Sequence, residues 1–456
     1  MEQLKPAQSK YIRETTKKAT VRNISILFII SYFLIPQYVG IDVAGFDLTV
    51  NRAFLVILYI CILSNPDRSK QFTRMVKQYK YLYPIVFFVI VLLYTGALRA
   101  DINTMMNATI EFAFLFLIIY ILKFEISLEL FSKLVCGCGY VLCILGIEEY
   151  VTHVNLFHKL QTLDANFSQF VRSGNLRIMG PCGHALAYGL LLLIIVPFAC
   201  VDWKSKQINI LQNKVLFFLL AVNVILTGSR SSLALFALEV VLLFLFSPMK
   251  EKKVALLFVG VALVCVAAFV IVMPNNGLSR YIMLQVTSVV DTILGTSMAV
   301  SYGAEMERLD NSTYYRQVLP KVFFVPYLNP ILGRGVSRHS SFQIDGISII
   351  SIDNFYVAQY IRYAYTGLIS YMWFIVASWI DILKHWLKKK EGIIIAFAVA
   401  ILCYYINLWW MDALQTLRYI YAVFAVAYVY IEAELPQLSK KKRGRINESK
   451  YIRSRI

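Results

Sequence analysis

Arginine is the residue type in this 456-residue chain that most clearly asks for a chemical role. Arg172, Arg177, Arg230, Arg316, Arg334 and Arg338 fall in or beside segments expected on the outer side of a membrane, and Arg362 and Arg418 fall within apolar runs. Positive charge resists translocation, so each of these residues works against the topological bias. Lysine is scarce in the same places, Lys159 and Lys321 being the exceptions. A guanidinium is planar, permanently charged and forks onto two oxygens at once, which suits phosphate or pyrophosphate better than an ammonium does. Three stretches set such arginines among glycine, proline and serine. RSGNLRIMGPCGHALAYG has Arg177 ahead of Gly180, Pro181 and His184, where free helix N-terminal amides favour an anion. LTGSRSSLALF holds Arg230 in a tight turn, and STYYRQVLPKVFFVPYLNPILGRGV runs from Arg316 to a flexible Gly-Arg-Gly around Arg334. A lone arginine at a helix end also serves as an interfacial anchor, so the three stretches together, not any one of them, point to a shared anion site.

The acid and base candidates are Asp353, Glu148, Glu149, His184 and His339. Asp353, followed by Asn354, stands where a long loop enters an apolar run. A partly desolvated carboxylate there can gain base strength. An ordinary helix N-cap is the competing role for Asp353, and a packing histidine that for His184. Paired zinc-ligand spacing, HExxH, a Walker loop, a GxSxG elbow and DxD are all missing from the sequence. The lack of DxD argues against a transferase that holds a nucleotide-sugar through a divalent metal, and neither metal nor cofactor is expected.

These residues must be positioned by helices in lipid. At 59% hydrophobic and 16% charged, the chain has more apolar surface than a soluble protein of its size could bury. Apolar runs recur near 22–40, 48–64, 81–98, 104–122, 127–147, 183–202, 215–227, 231–248, 253–273, 355–383, 392–409 and 412–432. The first follows a basic segment without a small-x-small cleavage site and reads as a retained signal anchor. The expected fold is an all-α integral membrane protein of about twelve transmembrane helices with two long extracytoplasmic loops. Its organisation is 1–147 (five helices), 148–182 (outer loop), 183–273 (four helices), 274–354 (large outer loop), 355–432 (three helices) and 433–456 (basic cytoplasmic tail). With both termini cytoplasmic, the inner segments hold Arg68 to Lys80, Lys204 to Lys214, Lys250 to Lys253, Lys384 to Lys390 and the tail. The net charge of +18 is then a topology signal and a surface for anionic lipid, not a nucleic-acid footprint. The eight cysteines lie mostly inside apolar runs and read as small buried hydrophobes.

In this order and spacing the motifs resemble the O-antigen ligase and Wzy-type polysaccharide polymerase superfamily. RIMGPCGHALAYG is similar to its Arg-x-x-Gly-Pro stretch, LTGSRSSLALF to its Thr-x-Ser-Arg turn, and YYRQVLPKVFFVPYLNPILGRGV to its Arg followed by Asn-Pro-Leu-x-Gly-x-Gly. DNFYVAQYIRYAYTGLISYMWF resembles its His-Asn-x-Tyr-Leu…Gly-Leu-x-Gly, with Asp353 where ligases usually carry histidine and many polymerases read Asp-Asn. The resemblance implies a GT-C-like helical bundle in a bacterial cytoplasmic membrane, with its active site outside. It implies metal-independent, inverting transfer from an undecaprenyl-pyrophosphate-linked oligosaccharide to a growing polysaccharide. Arg177, Arg230, Arg316, Arg334, His184 and Asn354 would bind pyrophosphate or substrate, and Asp353, with His339 as runner-up, would accept the proton. A repeat-unit flippase and a chain-length regulator are the protein partners this implies. An O-antigen ligase is the nearest alternative. A polysaccharide transporter is the rival from another class, but the chain lacks two similar halves.

Reporters fused after residues 160 and 330 are expected outside the cell, and those after 75, 208 and 445 in the cytoplasm. A cytoplasmic signal at 330 would put the arginines in the wrong compartment.

Overall fold

The structure, a computed structural model, describes residues 6–43, 46–163, 171–172, 175–303, 314–326, 328–337, 342–344, 347–349 and 352–434. Arg338, His339 and the basic tail lie outside the described residues. Helices α1 (Pro6–Leu34), α2 (Val50–Leu63), α3 (Pro66–Gln78), α4 (Leu82–Arg99), α5 (Ile102–Phe124) and α6 (Leu128–Thr152) form the first half. Helices α7 (Ala185–Cys200), α8 (Lys214–Leu226), α9 (Arg230–Phe246), α10 (Met249–Val272) and α11 (Gly277–Leu294) follow. The chain ends in α12 (Phe355–Lys389), α13 (Gly392–Asn407) and α14 (417–434). Four two-stranded antiparallel hairpins decorate the connections.

A helix occupies each run expected to span. By length and composition five of them, α4, α5, α6, α10 and α12, can cross a membrane, or six if α2 and α3 count as one broken span. Four shorter apolar helices, Thr20–Leu34, Ala185–Cys200, Lys214–Leu226 and Gly392–Asn407, fall below that length. At about 1.5 Å per residue a short helix does not traverse a core of about 30 Å. The bend of 110° between α2 and α3 follows from Asn65 and Pro66. The Asn65 side chain accepts from the amides of Asp67 and Arg68, and Pro66 starts the new helix without needing a donor partner. Helix α3 carries Arg68, Lys70, Arg74 and Lys77, so it suits an aqueous interface rather than the membrane core.

Helix α7 is buried along its whole length, packed by α6, α8, α9 and α13. Helix α10, in contrast, exposes nearly all of its apolar surface. The long segment after α10 is not simply a loop, because α11 fills residues Gly277–Leu294 and packs on α9.

Helix α12 is broken at Ala364, which adopts φ 57° and ψ −170°. A left-handed break frees carbonyls that the helix would otherwise bond internally. Here the Arg334 amide donates to the Ile361 carbonyl at 2.8 Å and the Gly335 amide to the Arg362 carbonyl at 3.0 Å. The Gly-Arg-Gly segment is therefore pinned, not flexible as its glycines suggested. Its backbone can come so close because Gly333 has no side chain: a Cβ there would run into the Arg362 carbonyl oxygen. The same segment is held from the other side by Asp101, the N-cap of α5. The Asp101 carboxylate accepts from the amides of Val336 and Ser337, each at 3.0 Å, and from Ser337 Oγ at 2.8 Å. Burial would raise the Asp101 pKa, but hydrogen bonds from Thr104 and Ser337 outweigh it and hold the group below the usual aspartate range. Arg99 Nε adds a bond of 2.8 Å to the Gly333 carbonyl.

Gly333→Ala should destabilise the purified protein by about 1–3 kcal/mol, because either the helix break or the clamp must shift. Thermal unfolding in detergent checks this, and an unchanged midpoint would show that the approach is not tight.

Candidate functional site

Two of the arginine stretches meet directly. Arg177 is buried, and its Nε donates to the Thr227 carbonyl at 2.8 Å, in the turn that leads into α9. The Ile178 amide reaches the Leu226 carbonyl at 3.3 Å alongside it. The segment that follows Arg177 is fixed by Glu149, whose carboxylate accepts from the amides of Met179 and Gly180 at 3.0 and 2.9 Å. Asn155 Nδ2 completes the turn with a bond of 2.9 Å to the Gly180 carbonyl. Glu149, an acid/base candidate by sequence, thus holds backbone, and Glu148 accepts from Thr152 Oγ1 at 3.1 Å.

His184 caps α7: its Nδ1 accepts from the Leu186 amide at 3.0 Å. In the neutral ring the proton then sits on Nε2, which makes His184 a donor rather than a base. The charges of both Arg177 and Asp353 act on His184, and that of Asp353 also acts on Arg316. Burial keeps the Arg316 guanidinium below the usual arginine range, with Asp353 working in the opposite direction. Arg316 Nε is buried without a hydrogen-bond partner among the described residues. Arg177, His184, Asp353 and Arg316 therefore form one electrostatic cluster.

The cap of α12 is Asn354, not Asp353. Asn354 is buried, its Oδ1 accepts from the Val357 amide at 3.1 Å and its Nδ2 donates to the Trp409 carbonyl at 2.9 Å. Both ends of that amide are committed to structure, which leaves Asp353 outside the capping role. Arg230 opens α9 behind the cap Ser229, and its charge acts on Asp291 of α11. Arg334 contributes its backbone to the α12 break.

Beside the cluster lies a cavity of about 890 Å³ that His184 also lines. Apart from His184 and Arg362, its walls were not singled out by sequence. Asn103, Asn107 and Glu111 line it from α5, and Gln359 and Arg362 from the first part of α12. Arg52 is clamped by the Asp47 carbonyl at 2.6 Å and by Asn107 Oδ1 at 3.0 Å, with the Phe46 ring 4.7 Å from its guanidinium. Arg362, which had no account in the sequence, pairs with Asp412 at 2.6 Å. Arg418 stacks on the rings of Tyr32 and Tyr419, and its charge acts on Glu111. The legible signal was periodic. Residues 103, 107 and 111 repeat every four positions, and 359, 362 and 363 follow the same helical face within an apolar run. Polar residues on one face of an otherwise apolar span mark a cavity or a partner.

Residues 215–367 match the model of the family described as O-antigen ligase. This stretch takes in Arg230, Arg316, Arg334, Asp353 and Asn354, and it supports the O-antigen ligase and Wzy-type superfamily resemblance of the motifs. No curated protein gives a match to the chain.

Glu149→Ala should cost about 2–4 kcal/mol, since two buried amides lose their carboxyl acceptor, while Glu149→Gln, which keeps one acceptor oxygen, should cost less. Chemical unfolding in detergent reads both, and equal stability of Glu149→Ala and the parent would remove the anchoring role.

Proposed function

We propose that this protein joins oligosaccharide repeat units carried on undecaprenyl pyrophosphate, acting as a polysaccharide polymerase on the outer face of a bacterial cytoplasmic membrane. The observation that carries this reading is the cluster of Asp353 with His184, Arg177 and Arg316, all four lying in motifs that resemble those of a saccharide-transferring family. The acceptor hydroxyl attacks the anomeric carbon as Asp353 takes its proton. The bond from that carbon to pyrophosphate oxygen breaks, and its electron pair leaves with the pyrophosphate. Arg177 and Arg316 offset the charge that grows on the leaving group, and His184 donates from Nε2. Direct displacement inverts the anomeric centre. Arg230, Arg334 and the polar backbone around them would steady the same anion from further out.

The choice of polymerase over ligase rests on Asp353, which stands where ligases of the family usually carry histidine. The matched family's description is that of a ligase, so transfer of finished glycan to a separate acceptor is the second reading. Product analysis separates the two: a ladder of repeat-unit lengths from purified lipid-linked units supports polymerase, and a single transfer of preformed glycan supports ligase.

Asp353→Asn should lower polymer formation by about a hundred to ten thousand fold while donor binding persists, because the amide cannot accept the proton. Since Asn354 is the cap of α12, this change should leave thermal stability nearly untouched. Near-normal chains from the Asn variant would remove Asp353 as the base.

A further inference from the structure

Resting on the transfer reading above, we propose that the cavity is the subsite for the accepting saccharide, read by Glu111 and Gln359, and that the lipid pyrophosphate stays outside it. Glu111 sits midway along α5, Gln359 lies ahead of the α12 break, and both line the cavity. Oε2 of Glu111 and Oε1 of Gln359 are buried and accept no hydrogen bond from any described residue. Gln359 is only 5% exposed. Buried polar atoms are normally paired, so two unpartnered acceptors on residues that line one cavity call for a ligand that brings donors. Sugar hydroxyls bring donors. An ionised pyrophosphate diester offers acceptors alone and would meet the two oxygens with repulsion.

The charge of the cavity points the same way. Arg52 and Arg362 line it together with Asp47, Glu111 and Asp412. Arg418, whose charge acts on Glu111, stands in the wall of a small adjoining pocket. Formally these guanidiniums and carboxylates balance, three against three. The outer cluster sets Arg177 and Arg316 against Asp353 and keeps a positive excess. An anion is therefore drawn to the cluster, and a polyhydroxylated, uncharged body to the cavity. His184 borders both regions, so a hydroxyl bound in the cavity lies next to the groups that would act on it.

The test uses the full chain in detergent and two separate probes: repeat-unit oligosaccharide released from its lipid, and undecaprenyl pyrophosphate without sugar. Titration calorimetry should show the saccharide bound by the parent and weakened about tenfold or more in Gln359→Leu and in Glu111→Ala. Undecaprenyl pyrophosphate affinity should stay within about twofold in both. Gln359→Glu keeps an acceptor and should retain most of the saccharide affinity, which guards against a loss that reflects only misfolding. Unchanged saccharide affinity in both truncations, no saccharide binding by the parent, or a matching loss of undecaprenyl pyrophosphate would overturn the subsite. If the parent ignores undecaprenyl pyrophosphate but the variants still lose saccharide, the transfer reading falls and the subsite stands.

Discussion

The architecture of the site depends on two backbone hydrogen bonds, from the amides of Arg334 and Gly335 to the carbonyls of Ile361 and Arg362. They satisfy the groups released where α12 breaks at Ala364. Without them the break would leave bare carbonyls in a poorly hydrated place, and a continuous helix would be favoured. With them, residues 355–363 take a direction of their own. That short element carries Gln359 and Arg362 to the cavity wall and fixes Asp353 at its start. Asp101 closes the arrangement by holding the following Val336 and Ser337 amides, which ties the first half of the chain to the matched second half.

A second consequence is the separation of charge. Arg362 and Arg418 looked, by residue type, like further members of one anion site. In the structure Arg362 is neutralised by Asp412, and Arg418 lies on aromatic rings beside Glu111. A paired guanidinium in a low-dielectric wall orients a neutral ligand more than it attracts an anion. In the proposed reading Arg177 and Arg316 serve the pyrophosphate instead; the charges of Arg177 and Asp353 act on His184, and that of Asp353 acts on Arg316.

Much of this was legible in the residue order. Apolar runs marked where every helix except α3 and α11 lies, because burial in lipid demands them, and the contact of Arg177 with Thr227 joins two motifs that the sequence set side by side only by analogy. The count of full crossings was less legible: α7, α8 and α13 are apolar enough but short, and hydropathy alone does not report how a helix is tilted or stacked. The break in α12 was invisible, since Ala364 is an ordinary helix former whose conformation is imposed by a segment nearly thirty residues earlier, about the span from Gly335. Asp353 and Asn354 could not be told apart as caps, because aspartate and asparagine cap equally well. The cavity wall on α5 was readable from the spacing of four between Asn103, Asn107 and Glu111, which carry amides and a carboxyl where the other motifs carry arginine.

The most direct measurement is an electron cryomicroscopy structure of the Asp353→Asn protein with an undecaprenyl-pyrophosphate-linked repeat unit and free saccharide bound. The account expects pyrophosphate density against Arg177 and Arg316 and saccharide density in the cavity against Gln359 and Glu111, with the two meeting beside residue 353. Pyrophosphate inside the cavity, or saccharide density remote from residue 353, would contradict it.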